Sequence, residues 1–267
     1  MPKKDSTFKT IQRLAGKAIG DFNMLENGDR VLVALSGGKD SWSMLHALVR
    51  LERKAPIELE LIPATIHPGF KTFECNSLHS AVSDLGLELH IEKTIIAEII
   101  QKHRRPGSSY CAFCARLRRG ALYTLAQRLE CNKVALGHHL DDFIETLLLN
   151  QFFSGKLAGM SPNLRADNGL QRVIRPLVYV EEYQITRWAE TMDIPIISCG
   201  CPQNAQLDQN RQRIKSLLTQ LEQHIPHIKK SMLNSMRNVQ PCSLLDQDLN
   251  PELQTRDVRD IQTSTPA

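Results

Sequence analysis

A single strand–turn–helix unit near the start of the chain limits the possible folds more than any other feature. Val31–Leu35 is a short, β-branched apolar run that predicts a buried parallel strand, and Ser41–Arg50 carries apolar residues at helical spacing. Glycines in the turn let backbone N–H groups approach an anion, while the helix N-terminus and Lys39 add positive charge. The unit therefore predicts a polyphosphate-binding turn, formed by Ser36, Gly37, Gly38, Lys39, Asp40 and Ser41. This turn is not a Walker A loop, because the GxxxxGK[ST] pattern is absent.

Strand-like and helix-length segments alternate along most of the chain. Helices are expected at Asp40–Arg53, Phe73–Leu85, Ala115–Leu129, Leu140–Phe152 and Glu181–Met192. Strands are expected at Val31–Leu35, Leu59–Ile66, Glu88–Ile91, Lys133–Leu136, Val173–Ile174 and Pro195–Ser198. This alternation predicts an α/β fold with a doubly wound parallel sheet, in which ligands bind beyond the carboxyl ends of the strands.

The alternating region and the segments on either side of it suggest that the chain has four parts. An amphipathic N-terminal helical extension covers residues 1–25, and the nucleotide-binding domain with its cysteine-bearing insertion covers 26–202. C-terminal helices, interrupted at Pro226, are expected within 203–245. Residues 246–267 are polar and aperiodic, so we expect a disordered tail there.

Composition and hydropathy indicate the cellular location of the protein more than they indicate its activity. The formal charge of +4 over 267 residues is compatible with nucleic-acid binding but does not indicate it alone. No apolar run approaches the ~20 residues of a membrane span, and the N-terminus lacks the apolar core of a signal peptide. We therefore expect a cytoplasmic protein without membrane contact, whose cysteines are reduced and point to metal or redox chemistry before disulfides.

A second polar motif follows the predicted strand at 133–136. Gly137 lies at the strand end, where its missing side chain would let a nucleoside lie against the backbone. Asp141 and Asp142 fall in the first helical turn, where carboxylates can hold a Mg²⁺ ion that bridges phosphate oxygens or simply cap the helix dipole. The polyphosphate turn on a neighbouring strand favours the metal. His138 and His139 are assigned positioning roles.

The cysteines supply the third signal. Cys111 and Cys114 have CxxC spacing and can bind one metal ion or cluster, but they form only half a site. A helix expected to start at Cys114 would favour its thiolate. Cys199 and Cys201 are the candidate partners, whereas Cys75, Cys131 and Cys242 are isolated and expected to be inert. The residues alone leave open a structural zinc site, a disulfide relay that passes a persulfide, and three thiolates holding a [4Fe–4S] cluster.

Taken together, these motifs resemble a known family. SGGKDS is similar to the PP-loop of ATP pyrophosphatases. With CxxCARLRRG, GHHLDDFIETLLLN and the later Cys-Pro, the chain resembles the TtcA family of tRNA-cytidine 2-sulfurtransferases from about Phe8 to Cys242. The resemblance implies a PP-loop (HUP-like) fold, ATP, Mg²⁺ and a [4Fe–4S] cluster held by Cys111, Cys114 and Cys201. Cys201 is preferred because Cys-Pro occurs at this place in related cluster-bearing thiolases, although the family separates its later cysteines by two residues and here only Gly200 stands between them.

The resemblance also implies an activity. ATP adenylates the C2 oxygen of an anticodon-loop cytidine at position 32, and sulfur delivered through the cluster replaces it to give 2-thiocytidine, with AMP and pyrophosphate as products. The implied catalytic residues are Lys39, Asp40, Asp141 and Arg118, with Asp40 and Asp141 orienting Mg²⁺. The implied nucleotide-binding residues are Ser36, Gly37, Gly38, Lys39, Asp40, Ser41, Gly137 and His138.

The expected partners are the tRNA anticodon stem-loop and a sulfur donor, either a cysteine desulfurase or sulfide, and a homodimer is left open. The densest basic run flanks the CxxC and would contact RNA phosphates or form a solvated face; it comprises Lys102, His103, Arg104, Arg105, Arg116, Arg118 and Arg119. Alternative functions are a 2-thiouridine synthetase, a lysidine-type ligase, or a nucleotide-binding module with structural zinc. Ligase chemistry needs no CxxC with a later Cys-Pro, so the cysteines argue against it.

Overall fold

The computed structural model describes residues 6–70, 72–73, 75–104, 110–197, 201 and 209–250. The chain divides into two compact units, residues 1–229 and 230–267. Every sheet strand lies in the first unit. The second unit includes a 3₁₀ turn at Pro241–Ser243 and a turn at residues 246–250, in which the Asn250 side chain donates to the Cys242 carbonyl at 3.0 Å. The remainder of the expected tail, 251–267, lies outside the described residues.

Helices and strands alternate as the sequence predicts. The helices are α1 (Ser6–Asp21), α2 (Lys39–Glu52), α3 (Asn76–Ser83), α4 (Ile96–His103), α5 (Tyr110–Arg128), α6 (Leu140–Ser154), α7 (Glu182–Ala189), α8 (Gln209–His224) and α9 (Ile228–Ser235). The strands are β1 (Asp29–Ala34), β2 (Leu59–His67), β3 (His90–Lys93), β4 (Lys133–Ala135), β5 (Asn163–Arg165) and β6 (Arg172–Ile174).

The strands form one sheet in the order β3-β2-β1-β4-β6-β5. All neighbours are parallel except β5, which runs antiparallel to β6 at the edge. The chain builds outward from β1 through β2 to β3 and then returns to place β4 on the other side of β1. The strand order therefore reverses between β1 and β4, which is where open α/β sheets bind their ligands. The predicted doubly wound, mostly parallel sheet is confirmed.

Both faces of the sheet are covered. Val31, Leu32 and Val33 of β1 are fully buried, and by strand alternation Leu32 faces opposite to its two neighbours. Leu32 belongs to a core cluster that includes Ile100 of α4 and Leu125 of α5. Helices α1, α2 and α7 pack together in a second group. Burial on both faces explains why the central strands are continuous apolar runs.

One predicted strand is wrong. Residues 195–197 form no strand, and Ser198 lies outside the described residues. The hydrogen bonds of this segment go elsewhere: the Pro195 carbonyl accepts from the Trp42 indole at 3.0 Å, and the Ile197 N–H donates to the Gly37 carbonyl at 3.1 Å. Proline also removes one donor from any ladder. The segment therefore supports the polyphosphate turn instead of extending the sheet.

Other differences concern boundaries. Helix α5 begins at Tyr110 rather than near Cys114, because Tyr110 and Phe113 pack against the core cluster. Helix α4 and strand β5 were not predicted. The interruption expected at Pro226 is confirmed by the break between α8 and α9. Within the described residues, no helix is long and apolar enough to cross a membrane.

Candidate active site at the reversal of strand order

The polyphosphate turn joins the end of β1 to the start of α2. Gly37 has φ +83°, a conformation that disfavours any other residue, and a β-carbon there would lie 2.1 Å from Cγ1 of Ile197. The Ser41 hydroxyl donates to the Gly38 carbonyl at 2.8 Å and accepts the Ser36 N–H at 3.2 Å. Gly38 is the N-cap and offers no side-chain cap, so the first N–H groups of α2 point toward the turn. This end of α2 is suited to bind an anion.

Gly137 brings the second motif against the first. A β-carbon at Gly137 would lie 3.1 Å from the backbone carbonyl of Asp40 and from the N–H nitrogen of Ser41. The space that a side chain would need is taken by the first turn of α2. The glycine is thus required for helix packing, and the nucleoside contact expected there stays a prediction.

His139 links the carboxylates of both motifs. Its side chain is buried, with Nε2 3.4 Å from Oδ2 of Asp142 and 3.8 Å from Oδ1 of Asp40. Burial lowers the pKa of His139, but its contact with Asp141 and the charges of Asp142 and Asp40 outweigh this and raise the pKa above its ordinary value. The three carboxylates therefore favour the protonated form of the ring, and the positioning role expected for His139 stays a prediction.

Asp141 is held on both oxygens. Oδ1 lies 2.8 Å from the Lys229 ammonium, and Oδ2 accepts the Glu182 N–H at 2.7 Å. Burial raises the pKa of Asp141, but these partners together with His139 outweigh it and hold the pKa well below its usual range. The same pairing raises the pKa of Lys229 to about 12. Asp141 is therefore ionised and anchored to the end of the first unit.

Lys39, the cation of the turn, is also paired. Its ammonium donates to Oδ1 of Asp40 at 2.9 Å and to Oε1 of Glu182 at 3.1 Å. Burial lowers the pKa of Lys39, but Asp40 and then Glu182 outweigh it and raise the pKa. Glu182 opens α7 and also accepts from Lys215 of α8 at 2.5 Å.

Helix α8 is fastened to α6 by one arginine. The Arg211 guanidinium donates from Nε to Glu145 and from Nη2 to Asp142, each at 2.6 Å. Sequence reasoning missed Arg211, Glu182, Lys215 and Lys229. The acidic pair at 181–182, at the start of a predicted helix, was the one sequence signal that could have pointed to Glu182.

These side chains surround a cavity of about 630 Å³. It is lined on one side by residues of both motifs and of α8, and on the other by the start of α5, with Cys111 at its wall. Asp141 opens instead into a second cavity of about 660 Å³ that Lys229 also lines. The structure thus brings Asp40 and Cys111, 71 positions apart in the sequence, to one cavity.

Cys111 is the one cysteine among the described residues that lines this cavity, and the described cysteines do not form a complete metal site. Cys111 is exposed in the first turn of α5, and Cys114 is half-buried one turn later, which corrects the expectation that the helix starts at Cys114. Cys201 is half-buried and packs with Tyr110, and the Tyr110 hydroxyl contacts the Cys201 thiol. Tyr110 also lies close enough to Cys114 to interact with it electrostatically. Cys199 lies outside the described residues. Among those described, no group of three His, Cys, Asp or Glu side chains is arranged to hold a metal ion.

Of the remaining cysteines, Cys75 belongs to the cluster against which Cys201 packs, and the inert character expected of all three stays a prediction. Burial raises the pKa of Cys131 to about 11, with the charge of Arg30 opposing it, and burial also raises the pKa of Cys75. Cys242 is exposed in the second unit. None of the three lines the cavity of about 630 Å³.

Arg118 and His138 occupy different places around the turn. The Arg118 guanidinium borders a small cavity of about 60 Å³ with Ser36 and Thr65. Its buried Nε and the Thr65 hydroxyl have no hydrogen-bond partner among the described residues. His138 accepts from Arg175 at 3.3 Å, and burial lowers its pKa to about 4, so the ring is neutral near pH 7.

The basic run around the cysteines is only partly engaged. Arg104 lies over the Tyr110 ring at 5.9 Å, Arg119 pairs with Asp167 at 3.7 Å, and Arg116 is exposed. Arg105 lies outside the described residues. Exposed cations near a cavity fit either a phosphate-binding surface or a solvated face.

Comparison with known proteins defines the class first. Residues 8–222 match the PP-loop domain family, so the chain is a PP-loop protein. It is 54% identical to the tRNA-cytidine(32) 2-sulfurtransferase of Syntrophotalea carbinolica over 92% of this chain and 95% of that one. It is 51% identical to the protein of the same name from Geobacter sulfurreducens over 91% and 94%. The chain therefore belongs to the tRNA-cytidine(32) 2-sulfurtransferase family, which confirms the family identified from the motifs.

A solved structure shares the fold. The U34-tRNA thiolase NcsA from Methanococcus maripaludis, determined with its [4Fe–4S] cluster, superimposes with a TM-score of 0.69 at 22% identity. The match covers 95% of this chain and 81% of that one.

Proposed function

We propose that this protein is an ATP-dependent tRNA sulfurtransferase that converts the anticodon-loop cytidine at position 32 into 2-thiocytidine. Its family supports this function. The single observation that carries it is the cavity lined both by Asp40 and His139 of the nucleotide motifs and by Cys111. Activation of the C2 oxygen and delivery of sulfur act on the same carbon, so both sets of groups must reach one space.

The first step is adenylation of the base. The C2 oxygen of cytidine attacks the α-phosphorus of ATP, the bond to the bridging oxygen breaks, and pyrophosphate leaves. We assign to Lys39 and to the N–H groups at the start of α2, which have no side-chain cap, the stabilisation of the charge that develops on pyrophosphate. The unpartnered Nε of Arg118 beside Ser36 supports a contact with the α-phosphate.

Magnesium is assigned to carboxylates of the two motifs. Asp40 lines the cavity, and it can supply an oxygen ligand for an ion that neutralises the polyphosphate when bound. Asp141 is the second assigned ligand. Since both of its oxygens are engaged, it would have to exchange Lys229 for the ion.

The cysteines are assigned to the sulfur-transfer step. We assign Cys111, Cys114 and Cys201 as the three thiolate ligands, a donor set whose chemistry fits a [4Fe–4S] cluster. A cluster held by these three thiolates would supply an open coordination position for the transfer of sulfur to C2. The start of α5 holds Cys111 and Cys114 one helical turn apart, and Tyr110 at the start of the same helix contacts Cys201.

The tRNA must present an unstacked base to this cavity, which a single-stranded anticodon loop can do. Arg104, Arg116 and Arg119 lie on or next to α5, and we assign them to the phosphates of the stem-loop. A cysteine desulfurase or sulfide would supply the sulfur. A cytoplasmic location and a homodimer stay predictions.

The decisive experiment supplies anaerobically purified protein with ATP, sulfide and a tRNA carrying cytidine or uridine at position 32. Nucleoside mass analysis should detect 2-thiocytidine in the first tRNA only, with AMP formed in equal amount. The Cys111→Ser variant should abolish this product, whereas the matched Cys242→Ser variant should retain it. Sulfur found in uridine, or lysine attached to cytidine, would overturn the proposal.

A further inference from the structure

Glu182 is shared between two lysines from different helices. Its Oε1 accepts from Lys39 of α2 at 3.1 Å, and its Oε2 accepts from Lys215 of α8 at 2.5 Å. Each carboxylate oxygen therefore holds one ammonium group. Lys39 belongs to the polyphosphate turn, whereas Glu182 and Lys215 lie outside both nucleotide motifs.

The carboxylate is fixed and charged where it stands. The backbone N–H of Glu182 donates to Asp141 at 2.7 Å, which fixes the first residue of α7. Burial raises the pKa of Glu182, but the hydrogen bonds from Lys215 and Lys39 outweigh it and lower the pKa. Glu182, Lys215 and Asp40 all line the cavity of about 630 Å³. A fixed anion thus lies between two cations in the space where the polyphosphate must enter.

The two lysines differ in their freedom to change partners. The Lys215 side chain is 57% exposed, whereas Lys39 is 26% exposed and also holds Asp40 at 2.9 Å. An exposed ion pair contributes little free energy and exchanges readily. Phosphate oxygens carry more charge than one carboxylate and accept the same charge-assisted hydrogen bonds. Lys215 can therefore leave Glu182 for a phosphate without disturbing the core.

We propose that Lys215 is a second polyphosphate-binding side chain and that Glu182 is the counter-ion that phosphate displaces from it. Glu182 keeps Lys39 and Lys215 directed at the cavity until phosphate oxygens displace it. This inference rests on the proposed function, because it concerns the pyrophosphate end of the ATP that the enzyme consumes. It extends the binding site to α8, which no motif marks.

Binding of inorganic pyrophosphate and of a non-hydrolysable ATP analogue, measured by calorimetry, tests the proposal. Measurements with EDTA remove magnesium, so that a metal-ligand role for Glu182 cannot contribute. We expect Lys215→Gln to weaken pyrophosphate binding roughly tenfold and Glu182→Gln to strengthen it about threefold, since the competing anion is lost. The matched control is Arg213→Gln, an exposed cation on the same helix that does not line the cavity and should leave affinity unchanged.

A double variant that combines Glu182→Gln with Lys215→Gln tests whether Glu182 and phosphate compete for Lys215. If Glu182 competes for Lys215, the gain from Glu182→Gln should shrink when Lys215 is already glutamine, so the two effects should not add. Weaker binding by Glu182→Gln in EDTA, or equal losses in Lys215→Gln and Arg213→Gln, would overturn the proposal. Wild-type protein that binds neither ligand would instead contradict the proposed function, so the two failures are distinguishable.

Discussion

The nucleotide side and the sulfur side of the cavity are assembled to different degrees. On the nucleotide side, ion pairs join α2 to α7, α6 to α8, and Asp141 to Lys229 at the end of the first unit. On the sulfur side, Cys111 is exposed and the described residues contain no complete metal site. The difference teaches that the described residues already join the nucleotide half by ion pairs, whereas the sulfur half, as proposed, becomes complete only with its cluster.

The largest expected effect is on the sulfur side. Cys111→Ser, Cys114→Ser and Cys201→Ser should each abolish thiolation and iron retention while leaving affinity for an ATP analogue unchanged, because the nucleotide half does not depend on them. Iron analysis of anaerobic protein and calorimetric titration measure the two properties. Cys131→Ser is a buried control that should keep its iron. If Cys199→Ser loses iron and Cys201→Ser retains it, the third assigned ligand is wrong.

A substitution in the polyphosphate turn tests the nucleotide side. Lys39→Ala should slow pyrophosphate release ~10²–10³-fold, because it removes one preorganised group that stabilises developing charge. Its iron content should equal that of the unaltered protein. Single-turnover measurement of pyrophosphate with saturating tRNA provides the rate. A Lys39→Ala protein that also loses iron would show that the two halves are not independent.

Close packing between the motifs leads to a third prediction. In Gly137→Ala the new β-carbon would lie 3.1 Å from the backbone of α2, so the helix must shift and stability should fall by about 2 kcal/mol. Affinity for the ATP analogue should fall with it. Gly120→Ala in α5 is the matched control, since nothing lies within 4 Å of its new methyl group and alanine favours helix. Urea unfolding distinguishes the two, and equal stability would refute the packing argument.

The smallest effect concerns the ion pair of Asp141. Without nucleotide or metal, Asp141→Asn should lower the free energy of unfolding by about 1 kcal/mol at pH 7. The pKa of Asp141 is depressed in the folded protein, so its contribution is present above the unfolded value of about 3.9 and is lost as pH falls below it. The difference from the unaltered protein should shrink toward pH 3, and it should also decrease as pH rises through the titration of His139, because Asp141 helps to raise the pKa of that ring.

Lys229 cannot produce that pH dependence. Its pKa is raised to about 12, so its contribution is lost only as pH rises above its ordinary value near 10.4. Asp84→Asn, an exposed position at the end of α3, is the control and should change stability little at any pH. A difference for Asp141→Asn that grows as pH falls below about 4 would contradict the assignment.

The sheet and the two motifs could be predicted because their signals are local. Lys39 and Asp40 lie between a β-branched run and a helical pattern, and Gly137 follows a similar run. The partners of these residues could not be found in the same way. Glu182 meets Lys39 from 143 positions away, and Arg211 meets Glu145 from 66. Single acidic or basic residues on amphipathic helices look the same whether they face solvent or a partner.

Two local predictions were wrong for tertiary reasons. Apolar spacing alone suggested that α5 starts near Cys114, but burial of Tyr110 and Phe113 extends the helix by a turn. The segment at 195–197 has strand-like composition, yet its backbone bonds to Trp42 and Gly37. In both cases contacts with distant residues decided the local conformation, and no window of sequence contains them.

The position of β1 in the sheet has a consequence for biosynthesis. Its open edge is closed by β4, and the bond between the Arg30 N–H and the Asn132 side chain spans 102 residues. A ribosome releases β1 and β2 long before β4, so the nascent chain carries an unpaired apolar strand edge for that interval. Delay in translation before residue 135 would lengthen the exposure and increase the demand for chaperones.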